Sequence, residues 1–114
     1  MKKTLMLKKN YEFKNVLAKG KYFSGNFIEA FIKKCNSQDC NYIGIAISVK
    51  AGNAVQRNHI KRLIREKYKT VENSLKCGFN IVFLWKKKKD ILSVNYENIS
   101  NDIDNIFDKA KIFY

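Results

Sequence analysis

Residues 53–71 read NAVQRNHIKRLIREKYKTV, flanked by two apolar runs, YIGIAISV (42–49) and FNIVFLW (79–85). On a helix turning about 100° per residue, with Arg57 at zero, Ile60, Leu63, Ile64, Tyr68 and Val71 fill an arc from roughly 240° round to 20°. Lys61, Arg65, Asn58, Lys69 and Arg62 follow Arg57 in that order out to about 140°. One side of this helix suits burial and the other suits an anion. Lys67 falls within the apolar arc, so it must snorkel or sit at the rim. His59 falls near about 200°, off the cationic arc. The two flanking runs are apolar almost throughout, as in strands covered on both faces. A strand, an amphipathic helix and a second such strand therefore form the middle of the fold, with the helix opening at Gly52-Asn53.

Outward from this unit, residues 22–34 read as a strand broken near Ser24-Gly25. Phe27, Glu29 and Phe31 point one way, and Ile28, Ala30 and Ile32 the other. Residues 35–41 read as a polar turn. Residues 10–19 read as a short helix with Asn10 as N-cap, Phe13, Val16 and Leu17 on one face, and Gly20 as its stop. Residues 95–111 read as a last helix with Tyr96, Ile99, Ile103, Ile106, Phe107 and Ala110 inward. Lys86 to Lys89 read as an exposed loop. The expected architecture is α+β, a two-layer sandwich in the order α-β-β-α-β-α. At 114 residues it is one domain, 1–114, with room for one modest core.

The formal charge of +13 is unevenly placed. Residues 1–89 hold 21 of the 23 Lys/Arg and 5 of the 10 acids, so the last 25 residues are mildly acidic. A small domain with a charge this high and this polarised is expected to present an oriented surface to a polyanion. Arginine occurs only at positions 57, 62 and 65. Its planar fork makes two parallel hydrogen bonds to one phosphate, and an asparagine among such forks adds a donor and an acceptor for a sugar or base edge. The same segment holds only one acid, Glu66, whereas a face meant for solubility mixes signs.

Other chemistries find little support. No run approaches the roughly 20 apolar residues of a membrane span. Between the basic pairs Lys2-Lys3 and Lys8-Lys9 the only apolar residues are Leu5, Met6 and Leu7, too few for a secretory signal. The expectation is a cytoplasmic protein with no membrane contact, and nothing in the sequence implies a homo-oligomer. Cys35, Cys40 and Cys77 are odd in number and loosely spaced, as for reduced thiols. His59 has no second histidine for an acid/base pair. The carboxylates are scattered, with Asp102, Asp104 and Asp108 read as lying on an exposed face, so no metal nuclease is expected. A helix reading DNA would need helix-turn-helix spacing, which is absent.

The string Gly52-Asn53-Ala54-Val55-x-Arg57-Asn58-x-Ile60-Lys61-Arg62-Leu63-Ile64-Arg65 resembles the signature of the bacterial ribonuclease P protein subunit. The opening Leu7-Lys8-Lys9-Asn10 with Phe13, Gly44 ahead of the basic helix, and the final amphipathic helix are similar to that family too. The resemblance implies a mixed central sheet and an uncommon left-handed β-α-β crossover around the basic helix, where general sequence reasoning favours the right-handed form. It implies two RNA partners: a large catalytic RNA, and precursor tRNA whose 5′ leader is removed. Catalysis and magnesium belong to the RNA, so the protein supplies no catalytic residue and binds no cofactor itself.

Residue by residue, the resemblance assigns RNA contact to Arg57, Asn58, Lys61, Arg62 and Arg65, and to Ser48 and Lys50 at the end of the central strand. Phe13 matches an aromatic of a cleft that receives the single-stranded leader, and Leu17 stands where a second aromatic is frequent. A third cleft position falls on Ala30 by ungapped alignment, with Phe31 beside it on the opposite face. His59 and Val49 stand where basic residues are common, and Leu84-Trp85-Lys86 lacks the usual arginine. The competing reading from charge alone is a ribosomal or general RNA-binding module with no processing role.

Overall fold

The computed structural model describes residues 3–35, 40–86 and 90–114. Within it lie β1 (Lys3–Met6), α1 (Asn10–Lys19), β2 (Lys21–Ser24), β3 (Ile28–Lys34), β4 (Cys40–Ala46), α2 (Ala54–Val71), β5 (Phe79–Trp85) and α3 (Tyr96–Ala110). The expected order holds, the strand over 22–34 breaks at Ser24-Gly25 into β2 and β3, and a short strand β1 precedes α1. Most of the polar turn over 35–41, and Lys87 to Lys89 of the lysine loop, lie outside the described residues.

The sheet runs β1-β4-β5-β3-β2. β1, β4 and β5 are mutually parallel, whereas β3 pairs antiparallel with both β5 and β2, so the sheet is mixed. β5 is central, which explains why its sequence is apolar on both faces. Ile81, Phe83 and Trp85 are buried on one side and Val82 on the other. β1 has only four residues, too few for a readable period. It is a strand because Lys3–Met6 pairs with Cys40–Ile43.

α2 and α3 cover one face of the sheet. Ile60, Leu63, Ile64 and Tyr68 of α2 and Ile99, Ile103, Ile106 and Phe107 of α3 are all buried there. Tyr96, expected inward, is 38% exposed at the first position of α3. Reciprocal bonds cap both helices: Asn53 with Gln56, and Asn95 with Asn98. α1 begins differently. Asn10 is its first helical residue rather than the cap, and Glu12 Oε1 accepts from the Lys8 and Lys9 amides.

Two charges sit inside this layer. Lys67 is buried and its ammonium lies 2.9 Å from Asp104 on α3, which tethers the two helices. Asp102 is 1% exposed, contrary to the exposed face expected for it. Its carboxylate accepts from the backbone amides of Asn26 (2.9 Å), Phe27 (2.7 Å) and Ile28 (3.1 Å), closing the β2–β3 turn onto α3. A Cβ on Gly25 would lie 2.6 Å from the carboxyl carbon, so only glycine fits there. Three donors on one buried carboxylate are charge-assisted bonds that no apolar pattern reveals.

Asp102→Asn keeps the shape but turns an amide donor toward amide donors. Hydrogen bonds to a charged group contribute about 1.5–3 kcal/mol each, so the substitution should cost about 2–3 kcal/mol of stability. Urea unfolding should show this as a lowered midpoint at unchanged slope. An unchanged midpoint would mean that the turn does not depend on Asp102.

Candidate nucleic-acid interface

Two surfaces carry the residues expected to meet RNA. The first is the outer arc of α2. Its apolar arc is held against the sheet, so the cations have no inward alternative. Asn58, Arg62, Arg65 and Lys69 are exposed and Lys61 is partly so. Arg62 pairs with Glu66 at 3.7 Å, with the two side chains 66% and 53% exposed. A pair that open contributes little and yields readily to a phosphate. His59 is also exposed, beside Val55, Asn58 and Arg62 at a shallow recess of about 350 Å³.

Arg57 is placed differently from its neighbours. It is half-buried, and its Nη1 donates to the Gly52 carbonyl at 2.8 Å, with the Val49 carbonyl at 3.5 Å. Ser48 acts on the same turn, its hydroxyl accepting from the Lys50 amide at 3.2 Å. Together they brace the short 3-10 turn Val49–Ala51 between β4 and α2, which leaves Lys50 exposed. Ser48, Lys50, Ala51 and Trp85 line a recess of about 260 Å³ at this end of the sheet.

The second surface is the sheet face opposite α2 and α3. α1 crosses it, with Val16 fully buried in a small cluster with Leu7 and Val82. The Phe13 ring lies directly on Gly44, where a Cβ would stand 2.6 Å from it, so this strand position must be glycine. Asn15 Oδ1 accepts from Lys33 Nζ at 2.6 Å, and Gly20 ends the helix against Ile32 of β3. α1 therefore lies over the rungs of Lys33, Asn80 and Tyr42. On the next rung, Tyr22–Phe31–Val82–Gly44, α1 covers Val82 and Gly44 while Phe31 and Tyr22 lie beside it, and the rung Ser24–Glu29–Leu84–Ala46 follows.

We read this half-covered flank as a groove. Phe13, with Leu17 one turn on, stands on its α1 side, and Phe31, Tyr22 and Leu84 stand on its sheet side. Phe13, Phe31 and Leu84 are half-buried, and Leu17 is 37% exposed. Phe31 and Tyr22 pack with ring centroids 5.2 Å apart. The Tyr22 hydroxyl donates to the Glu29 carboxylate, which holds the phenol above its ordinary value. Ala30 does not belong here. It is fully buried on the other face with Ile28 and Ile32, because neighbouring residues of a strand point to opposite faces. Phe31, its neighbour, is half-buried on the α1 face.

Tyr22, Glu29 and Leu84 are not among the leader contacts expected from the sequence. Strand alternation puts Glu29 beside Phe31, but which face α1 covers and how β2 registers on β3 are long-range facts. Among the described residues no group of three or more His, Cys, Asp or Glu gathers as metal ligands would, and no helix is long and apolar enough to cross a membrane.

The family model for ribonuclease P matches residues 1–111. The ribonuclease P protein component of Clostridium kluyveri is 34% identical over 109 residues, covering 94% of this chain and 95% of that protein. That of Clostridium novyi is 32% identical over 114 residues and covers 99% of both. Among solved structures, the RNase P protein of Staphylococcus aureus superposes with a TM-score of 0.81 at 28% identity, over 98% of this chain and 100% of that one. The RNase P protein from Thermotoga maritima shares the fold, with a TM-score of 0.81 over 91% and 96% of the two chains at 23% identity. The β4–α2–β5 connection has the left-handed crossover of that fold. By these measures the chain belongs to the ribonuclease P protein family.

Proposed function

We propose that this chain is the protein subunit of ribonuclease P. It binds the catalytic RNA through the outer arc of α2 and receives the 5′ leader of precursor tRNA in the groove beside α1. It thereby promotes endonucleolytic removal of the leader. The observation that carries this reading is a juxtaposition: all three arginines sit on the helix that follows β4, and β4 is the strand whose Gly44 lies under the Phe13 ring.

The chemistry divides between the two surfaces. Arg62, Arg65 and Lys61 take phosphates, and Asn58 adds hydrogen bonds to a sugar or base edge. Each phosphate neutralised releases counterions, so affinity falls with salt, by a log–log slope of roughly 0.7–0.9 per contact. Lys50, held out by Ser48 and Arg57, places one more cation where the two surfaces meet. In the groove, Phe13 and Phe31 offer ring faces to unpaired bases. Such stacking is worth about 1–3 kcal/mol per base and tolerates any sequence, which suits a protein that meets many leaders.

In this reading the protein carries no catalytic group. His59 stands alone on α2, and Asp102 and Asp104 are committed to the turn and to Lys67. Hydrolysis and its magnesium belong to the RNA, and no step is routed through a metal on the protein.

Arg62→Ala and Arg65→Ala should each weaken binding to the catalytic RNA and reduce its salt slope by about 1. Filter binding across a salt series checks this, and wild-type affinity and slope in both variants would remove α2 from the interface. Phe31→Ala should leave catalytic-RNA affinity unchanged. It should cut the holoenzyme's preference for precursor over mature tRNA by roughly fivefold or more, the low end for one stacked base. Equal loss for both tRNAs would assign Phe31 to the fold alone.

A further inference from the structure

The groove floor contains one group that general stacking and phosphate binding do not use. Glu29 is the one carboxylate that the strands place on this face among the described residues. It lies one rung beyond Phe31, paired with Leu84 of β5 on one side and Ser24 of β2 on the other. It is half-buried, and the Tyr22 hydroxyl donates to its Oε2. The Tyr22 ring is itself packed on Phe31. The carboxylate is therefore fixed at the edge of a ring that would hold a base. Among the described residues, Oε1 has no hydrogen-bond partner.

A carboxylate is a poor neighbour for a phosphate backbone, and its placement in a groove proposed for RNA calls for a different role. An ionised carboxylate only accepts hydrogen bonds. It pairs with an exocyclic amine on a base edge, as glutamate does with the cytosine amino group. Adenine, cytosine and guanine all carry such an amine. Uracil offers a single ring N–H between two carbonyl oxygens, and both oxygens would face the carboxylate unfavourably.

Resting on the leader-groove reading above, we propose that Glu29, held by Tyr22, is a specificity-determining residue: it selects a leader base bearing an exocyclic amino group over uracil at one position. Phe31 supplies affinity without preference, and Glu29 supplies the preference. The Tyr22 bond restricts the carboxylate to one orientation, so the selection acts on one nucleotide rather than along the leader.

The test uses the reconstituted holoenzyme with precursor tRNAs whose leaders are all uridine, or all uridine with a single adenosine or cytidine scanned along them. The expected wild-type result is one position at which A or C tightens binding by roughly fivefold or more, the scale of one good base-edge contact. Glu29→Gln is nearly isosteric, and its amide both donates and accepts, so it should abolish that step while the all-uridine leader binds as well or better. An equal loss for every leader would make Glu29 a structural residue and overturn the proposal. An unchanged profile in Glu29→Gln would also overturn it. Failure of the leader-groove reading looks different: precursor and mature tRNA would bind the wild-type holoenzyme alike.

Discussion

The structure depends on a helix that can bury only one of its sides. β4 and β5 are parallel neighbours, so the chain leaves the sheet at the end of β4 and must cross back to the end where β4 began before β5 can start. α2 makes that crossing. Its apolar arc, through Ile60, Leu63, Ile64 and Tyr68, supplies one wall of the main core. Burying that arc fixes the rotation of the helix about its axis, and the rotation fixes where Asn58, Arg62 and Arg65 point. The same contact that completes the core thus orients the basic surface. Lys67 shows how strict the division is: among the described residues it is the one buried cation, and it is matched by Asp104 rather than left unpaired.

The two faces of the sheet carry different duties. On the α2–α3 side, packing is continuous and the polar groups inside it are satisfied by defined partners, with Asp102 closing the β2–β3 turn. On the other side α1 covers only part of the surface. Its packing rests on a close approach, the Phe13 ring against Gly44, which positions the flank of α1 above the exposed rungs. A complete second layer would have left no groove, and a bare face would have exposed a broad apolar patch. The partial cover leaves the half-buried rings of Phe13 and Phe31 at its edge.

Much of this was legible in the sequence, and the failures have physical causes. α2 and β5 read correctly because their periods, 3.6 and near-continuous apolar, are local signals confirmed by Asn53 and Gln56 at the helix start. β1 did not, since four residues carry no period and its identity lies in pairing with β4. Asp102 was misread because spacing places a residue on a helix but does not announce three amide donors arriving from Asn26 to Ile28, some 75 positions away. Ala30 and Phe31 differ by one position, and one position in a strand is the difference between core and groove. The family signature located the basic helix. It could not show that Arg57 spends one nitrogen on the Gly52 carbonyl, or that Tyr22 and Glu29 join Phe31.

The central claim is that these surfaces serve leader removal by a catalytic RNA. The most direct measurement is cleavage of a labelled precursor tRNA at low magnesium, with the protein and its cognate catalytic RNA each alone and together. The account predicts cleavage at the mature 5′ end that is strongly raised by the protein and absent with protein alone. No effect of the folded protein at any magnesium concentration, or cleavage by the protein without the RNA, would contradict it.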